Sequence, residues 1–247
     1  MDTALHLQLL SSNVSLPDLS IGQAIDIAHI PQEFNEKRLS AMIGHLSGDH
    51  ELAGRLTAQE RYYILLNHQA TAQHQYSADS AGVNDEYFID TVQADVPPHA
   101  QVGDMTINHL RGAHVVVLEG ICENVADWLS GQMACQLSGD LSFFIGGEAG
   151  EFKWGELPAS MSDTEINQAI QERVKVINDL SISQFNDLVN GYNDGVRQLA
   201  HFVALGSDNQ GLTLCKQGGD GVIEPARFLT LDHLSGAAAR IAECLVG

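Results

Sequence analysis

From Ser181 onward the chain carries the pattern that most restricts its possible folds. Phe185, Leu188, Val189, Tyr192, Val196, Leu199 and Val203 recur on one face of a helix over about five turns. Ser181 and Gln184 stand three apart as a capping box that starts it. Just upstream, Ser162 and Glu165 form another box, followed by Ile166, Ile170, Val174 and Ile177 at helical spacing. Two long amphipathic helices, 163–179 and 182–205, with almost nothing between them, predict an antiparallel helical hairpin with facing apolar stripes. Gly191 and Gly195 fall off the stripe, and each is expected to weaken the helix by about 1 kcal/mol relative to alanine.

The remainder mixes helix and strand. ALHLQLL alternates apolar and polar from Ala4, SSN reads as a turn, and VSL as the return strand. Ser20 and Gln23 cap SIGQAIDIAHI, which Pro31 closes. A second helix over about 35–46 aligns Leu39, Met42, Ile43 and Leu46. Thr57 and Glu60 cap a third, LTAQERYYILLNHQA, so residues 20–70 read as three short helices. The polar, small-residue stretch 71–82 is the expected linker. Residues 86–118 read as β structure: YFIDTVQADV is a strand up to Pro97-Pro98, while MTINHL and AHVVVLE flank a turn at Arg111-Gly112. A helix over 123–136 carries Trp128, Leu129 and Met133, and LSFFIGG and EFKWGEL read as strands or extended segments. GLTLCKQ and VIEPARFL, joined by Gly218-Gly219-Asp220-Gly221, predict a hairpin before a last helix over 232–245. The expectation is an α+β protein. A strand-plus-helix unit occupies 1–70, and an α+β domain occupies 83–247, divisible near 158.

Charge narrows the class of function. Twelve Lys and Arg stand against 32 Asp and Glu, for a net charge of −20 in 247 residues. Such a surface repels nucleic-acid backbones and anionic membranes unless a basic patch overrides it, and the basic residues are scattered. No apolar run reaches the length of a membrane span. The start MDTALHLQLLSSNV lacks the basic residues and cleavage site of a signal peptide. Cys122, Cys135, Cys215 and Cys244 show no tight pairing and are expected to be reduced thiols in a cytoplasmic protein.

Catalytic patterns are missing. His45 and His50 lie five apart and His68 and His74 six apart, neither at the spacing that sets two imidazoles on one helical face. Cys122 and Cys135 fall at opposite ends of one predicted helix. There is no Gly-x-Ser-x-Gly elbow, SGD and GGDG read as turns, and DNQG is too short for a calcium loop. No catalytic, cofactor-binding or metal-binding residue is assigned. The open alternative is a soluble enzyme or metal-binding module whose site is assembled from dispersed histidines and carboxylates. Tyr62 and Tyr63, being adjacent on a helix, point about 100° apart, so one ring is expected in the core and the other at a protein interface. Tyr62, Tyr63, Leu66 and His68, with the polar stretch after them, are the candidate contact residues.

LTAQERYYILLNH is similar to a short helix in baseplate-hub assembly proteins of long-tailed bacteriophages. LSISQFNDLVNGYNDGVRQLAHFVAL, followed by strand, turn and strand, resembles the C-terminal portion of that group. There, a helix ending near a histidine runs into a small β unit and a final short helix. That β unit often carries closely paired cysteines in the group, whereas Cys215 stands alone at the place here. The resemblance implies a role in tail assembly through contacts with other tail or baseplate proteins and no catalysis. Two versions stay open: a chaperone working in the host cytoplasm, or a structural piece retained in the virion tail.

Overall fold

The computed structural model describes residues 4–74, 84–89, 95–148, 150–216 and 225–230. They form an α+β structure of nine helices and three small antiparallel sheets, divided into two compact units. Met1–Gln93, His201–Gly206 and Leu212–Gly247 make up the first unit; Ala94–Ala200 and Ser207–Gly211 make up the second. The division therefore falls after the expected linker. Residues 71–74 continue the helix Ala58–His74, while 75–82 lie outside the described residues. Nothing divides the second unit near 158.

In the first unit, β1 (Leu5–Gln8) and β2 (Asn13–Leu16) pair antiparallel, with Leu7 opposite Val14 and Leu5 opposite Leu16. α1 (Ile21–Ala28) begins at Ser20, whose side chain accepts from the Gln23 amide while the Gln23 side chain accepts from the Ser20 amide. α2 (Asn35–Ser47) buries Leu39, Met42, Ile43 and Leu46 on the expected stripe. It stops where Gly48 takes a left-handed conformation, φ 71°, which glycine adopts without a Cβ penalty. α3 (Leu52–Arg55) leads into α4 (Ala58–His74), capped reciprocally by Thr57 and Glu60. Tyr62, Ile64, Leu65 and Leu66 are all buried, so α4 is enclosed on more than one side and serves as the centre of this unit.

In the second unit, β3 (His99–Val102), β4 (Met105–Asn108), β5 (Leu137–Asp140) and β6 (Lys153–Trp154) form an antiparallel sheet in that order. The expected strand AHVVVLE is instead a helix, α5 (Gly112–Ile121). Its valines favour strands by propensity, but the cost of a β-branched residue in a helix is only a few tenths of a kcal/mol, roughly. Burial of Val115, Val117 and Leu118 outweighs it. α6 (Val125–Gln136) starts at Asn124, whose side-chain oxygen accepts from the Ala126 and Asp127 amides. LSFFIGG forms a one-turn helix, α7 (Ser142–Ile145), not a strand, because the Asp140 carboxylate accepts from the Ser142 amide and hydroxyl and turns the chain.

Both C-terminal capping boxes form, opening α8 (Asp163–Asn178) and α9 (Ile182–Gln198). Their apolar faces go chiefly to different partners: α8 packs on α5 and α6, and α9 on β3, β4 and α7. The two glycines explain α9. A Cβ on Gly195 would stand 2.4 Å from Ile107 Cδ1, and one on Gly191 would stand 2.9 Å from Phe144. The bare backbone at these positions is what lets α9 lie against the Met105 and Ile107 face of β4.

The chain then returns to the first unit. Ile89 donates its amide to the Phe202 carbonyl, and Val203 bridges to Phe88. β7 (Ala204–Asp208), β8 (Gly211–Cys215) and β9 (Pro225–Ala226) form a three-stranded sheet, with Leu214 opposite Ala226 as the expected hairpin requires. Thr230 donates to the Asn35 side-chain oxygen, fastening the end of this segment to α2. The expected turn at 218–221 and last helix at 232–245 lie outside the described residues.

Candidate functional site

The residues singled out on α4 are built into the first unit. Tyr62 is 1% exposed and donates its hydroxyl to Glu36 Oε1. Burial, and then the Glu36 carboxylate, push its ionisation well above the ordinary tyrosine range. Arg61 beside it is 0% exposed; its Nη2 donates to Glu36 Oε2 at 2.9 Å and to the Glu36 carbonyl at 2.7 Å. Leu66 is fully enclosed, and His68 is 7% exposed with neither ring nitrogen hydrogen-bonded, so burial lowers its pKa. Tyr63 is half-buried, stacked on Phe202 at 4.3 Å and edge-on to Phe88 at 5.6 Å. Of the expected contact residues, then, Tyr62, Leu66 and His68 face their own core, and Tyr63 alone reaches the surface in part. The adjacent-tyrosine argument holds in its geometry. Phe202, arriving from more than a hundred residues away, stacks on Tyr63, the ring of the two that is not in the core. Residues 75–82 of the polar stretch lie outside the described residues.

Nearby, Thr57 Oγ1 and His201 Nε2 stand 2.9 Å apart, both side chains fully buried. Thr57 thus caps α4 and anchors the returning segment at once. The Glu36–Arg61 pair had no signature in the sequence, since a buried arginine on a helix reads like an exposed one until its surroundings are known.

Among the described residues the remaining titratable groups do not gather into one cluster. His45 and His50 meet edge to face at 5.5 Å, and His45 Nε2 lies 4.0 Å from Asp26 Oδ2. Among the described residues no group of three or more His, Cys, Asp or Glu is placed to hold a metal ion. Cys122, Cys135 and Cys215 are free thiols, and burial pushes Cys122 up to about 12 and Cys135 further, which keeps both protonated and unreactive. In the second unit, Arg173 donates to the Ala134, Leu137 and Gly155 carbonyls and lies over Trp154, tying α8 to the sheet. His114 accepts from the Arg111 amide at the start of α5, and burial lowers its pKa to about 4.

Large apolar side chains stand in the open elsewhere: Phe143 is 86% and Ile182 82% exposed, with Ile21 and Val125 less so. α7 is held to the first turn of α9 by the Gln184 side-chain amide, which donates to the Ile145 carbonyl. Phe144 sits over Gly191, and Phe143 meets Phe144 edge to face at 5.3 Å. Phe143 lies on α7 and Ile182 opens α9, both in the second unit. No helix among the described residues is long and apolar enough to cross a membrane. No protein family, curated protein or solved structure matches the chain.

Proposed function

We propose that this protein is a non-enzymatic component of tail assembly in a long-tailed bacteriophage, acting through contacts with other tail or baseplate proteins. The observation that carries the reading is a set of large apolar side chains, Phe143 and Ile182 foremost, left in the open on a chain of net charge −20. Isolated apolar residues on a surface are ordinary, but side chains of this size left 86% and 82% exposed suit a partner. Acidity adds steering toward a basic partner and discourages nucleic acid and anionic membranes. The similarity of LTAQERYYILLNH and of the 180–205 segment to baseplate-hub assembly proteins supplies the setting: the host cytoplasm during assembly, and the virion tail if the protein is retained.

The test is mass spectrometry of purified particles from a phage that carries this gene, set against the lysate before purification. A small fixed copy number in the particle identifies a structural tail or baseplate component. Presence only in the lysate, bound to a tail protein, identifies an assembly chaperone. A free monomer in the lysate and no copy in the particle defeats the proposal.

A further inference from the structure

We infer that the outer edge of β2 pairs with a second copy of this chain, β2 against β2 antiparallel about a twofold axis at Val14, which joins two hairpins into one sheet. Such pairing does not depend on the tail-assembly role. The register of the hairpin decides which backbone groups are left over. The Leu9 amide donates to the Ser12 carbonyl at 2.8 Å, and Leu7 faces Val14 two residues further along the same ladder. Bonded and non-bonded pairs alternate in an antiparallel ladder, so Leu7–Val14 and Leu5–Leu16 exchange bonds while Asn13 and Ser15 turn their N–H and C=O away from β1. Among the described residues no group bonds to that outer side, and the sheet ends at β2. Asn13 and Ser15 are both exposed. The hairpin is nonetheless firmly seated: Leu7, Leu9 and Leu16 are buried, and the Leu10 amide donates to Glu60 Oε1 on α4. A fixed strand with unpaired backbone groups is a template for another strand and loses little entropy on binding.

What the edge lacks sets its occupant. From Thr3 to Pro17 the sequence holds no Asp, Glu, Lys or Arg, in a chain of net charge −20. Open edges are ordinarily guarded by a charged side chain that an approaching strand would have to bury, and β2 carries none. A basic segment finds no counter-charge in this run. A second copy brings its own neutral run to the contact, so no like charges on the two strands are opposed there. The pairing parity fits the twofold as well. With the axis at Val14, Asn13 lies opposite the partner's Ser15, and the outward N–H and C=O groups of both positions are satisfied in each copy. Val14 is half-buried and meets its own copy in a non-bonded pair, where Cα atoms stand about 4.5 Å apart and β-branched side chains pack well.

The test is sedimentation velocity of the full-length protein over a range of concentrations, with a reversible monomer–dimer equilibrium expected. Ser15→Pro removes an outward N–H and no bond to β1, a position where a strand tolerates proline. It is expected to weaken dimerisation at least about tenfold while leaving the Tm of the diluted monomer unchanged. Mild oxidation reads the register. Val14→Cys is expected to give a covalent dimer, because its thiols fall within disulfide reach across the axis, and Asn13→Cys is expected to give none. Raising salt is expected to tighten the dimer, since it screens the repulsion between two chains of charge −20. A wild type that stays monomeric throughout overturns the second copy. Undiminished dimerisation of folded Ser15→Pro overturns the edge. Should that variant not fold, equal cross-linking of Val14→Cys and Asn13→Cys overturns it instead. A dimer that salt loosens is held by opposite charges, which overturns the neutral contact. Each of these results leaves the particle experiment untouched, so the edge can fail while the assembly role stands.

Discussion

A charge withdrawn from water has to find its counter-charge inside the fold, and Arg61 does so through Glu36 on α2. Tyr62 donates to the other oxygen of the same carboxylate, so two neighbours on α4 satisfy one buried acid. Removing one partner strands the other: Arg61→Ala is expected to cost about 3–5 kcal/mol in urea unfolding. A loss under about 1 kcal/mol would show that the pair does not hold the first unit together. His114 sets a pH dependence of definite sign. Its pKa falls from 6.5 to about 4 on folding, chiefly through burial, so between those values the unfolded chain binds the extra proton. The stability it contributes is complete above 6.5 and is lost as pH falls toward 4. His114→Asn keeps an acceptor for the Arg111 amide and removes the titration. The drop in unfolding free energy from pH 7 to pH 5 is expected to shrink by about 2 kcal/mol in that variant. An unchanged drop would assign the acid sensitivity to other groups.

Among the elements, helix starts were the most legible. All four capping boxes form where the sequence placed them, because each depends on two side chains three residues apart and on little else. The β1–β2 hairpin and the α2 stripe were legible for the same local reason. α5 reads as a strand and α7 as a strand or extended segment because their apolar runs are short, and a short buried run has no period that separates helix from strand. Gly191 and Gly195 were read as weaknesses in α9, whereas they are its contact with the sheet and with α7. Gly195→Ala gains about 1 kcal/mol of helix propensity but forces a methyl group into buried Ile107. A net loss of about 1–3 kcal/mol is expected in thermal or urea unfolding, with exposed Asn193→Ala as the control. Stabilisation by Gly195→Ala would show that contact with Ile107 does not limit the approach of α9 to β4.

At the scale of the molecule the chain is not laid out in sequence order. The first unit is begun by the N-terminal third and completed by Phe202, Val203 and Thr230. The second unit, apart from the short piece 207–211, is one continuous stretch. A fragment spanning 94–200 is therefore expected to melt cooperatively by itself. A fragment spanning 1–93 lacks the residues that cover Tyr63 and cap Thr57 and Asn35, and is expected to show no cooperative transition by calorimetry. A cooperative melt of 1–93 alone would show that the returning segment is dispensable. The acidic surface acts at this scale too, through a field that several charges share and that no single residue determines.

The sequence by itself determined where the capped helices begin, that the protein is α+β, and that its surface is acidic. These depend on contacts within a turn or two of helix, or on composition alone. Only the tertiary structure decided that α8 and α9 turn their stripes to different partners, that the valines of α5 are helical, and that Tyr62 and His68 face inward. Each of those outcomes is set by what arrives from a distant part of the chain. A stripe records that a face will be covered; the element that covers it depends on packing volumes and buried charges that no local spacing encodes.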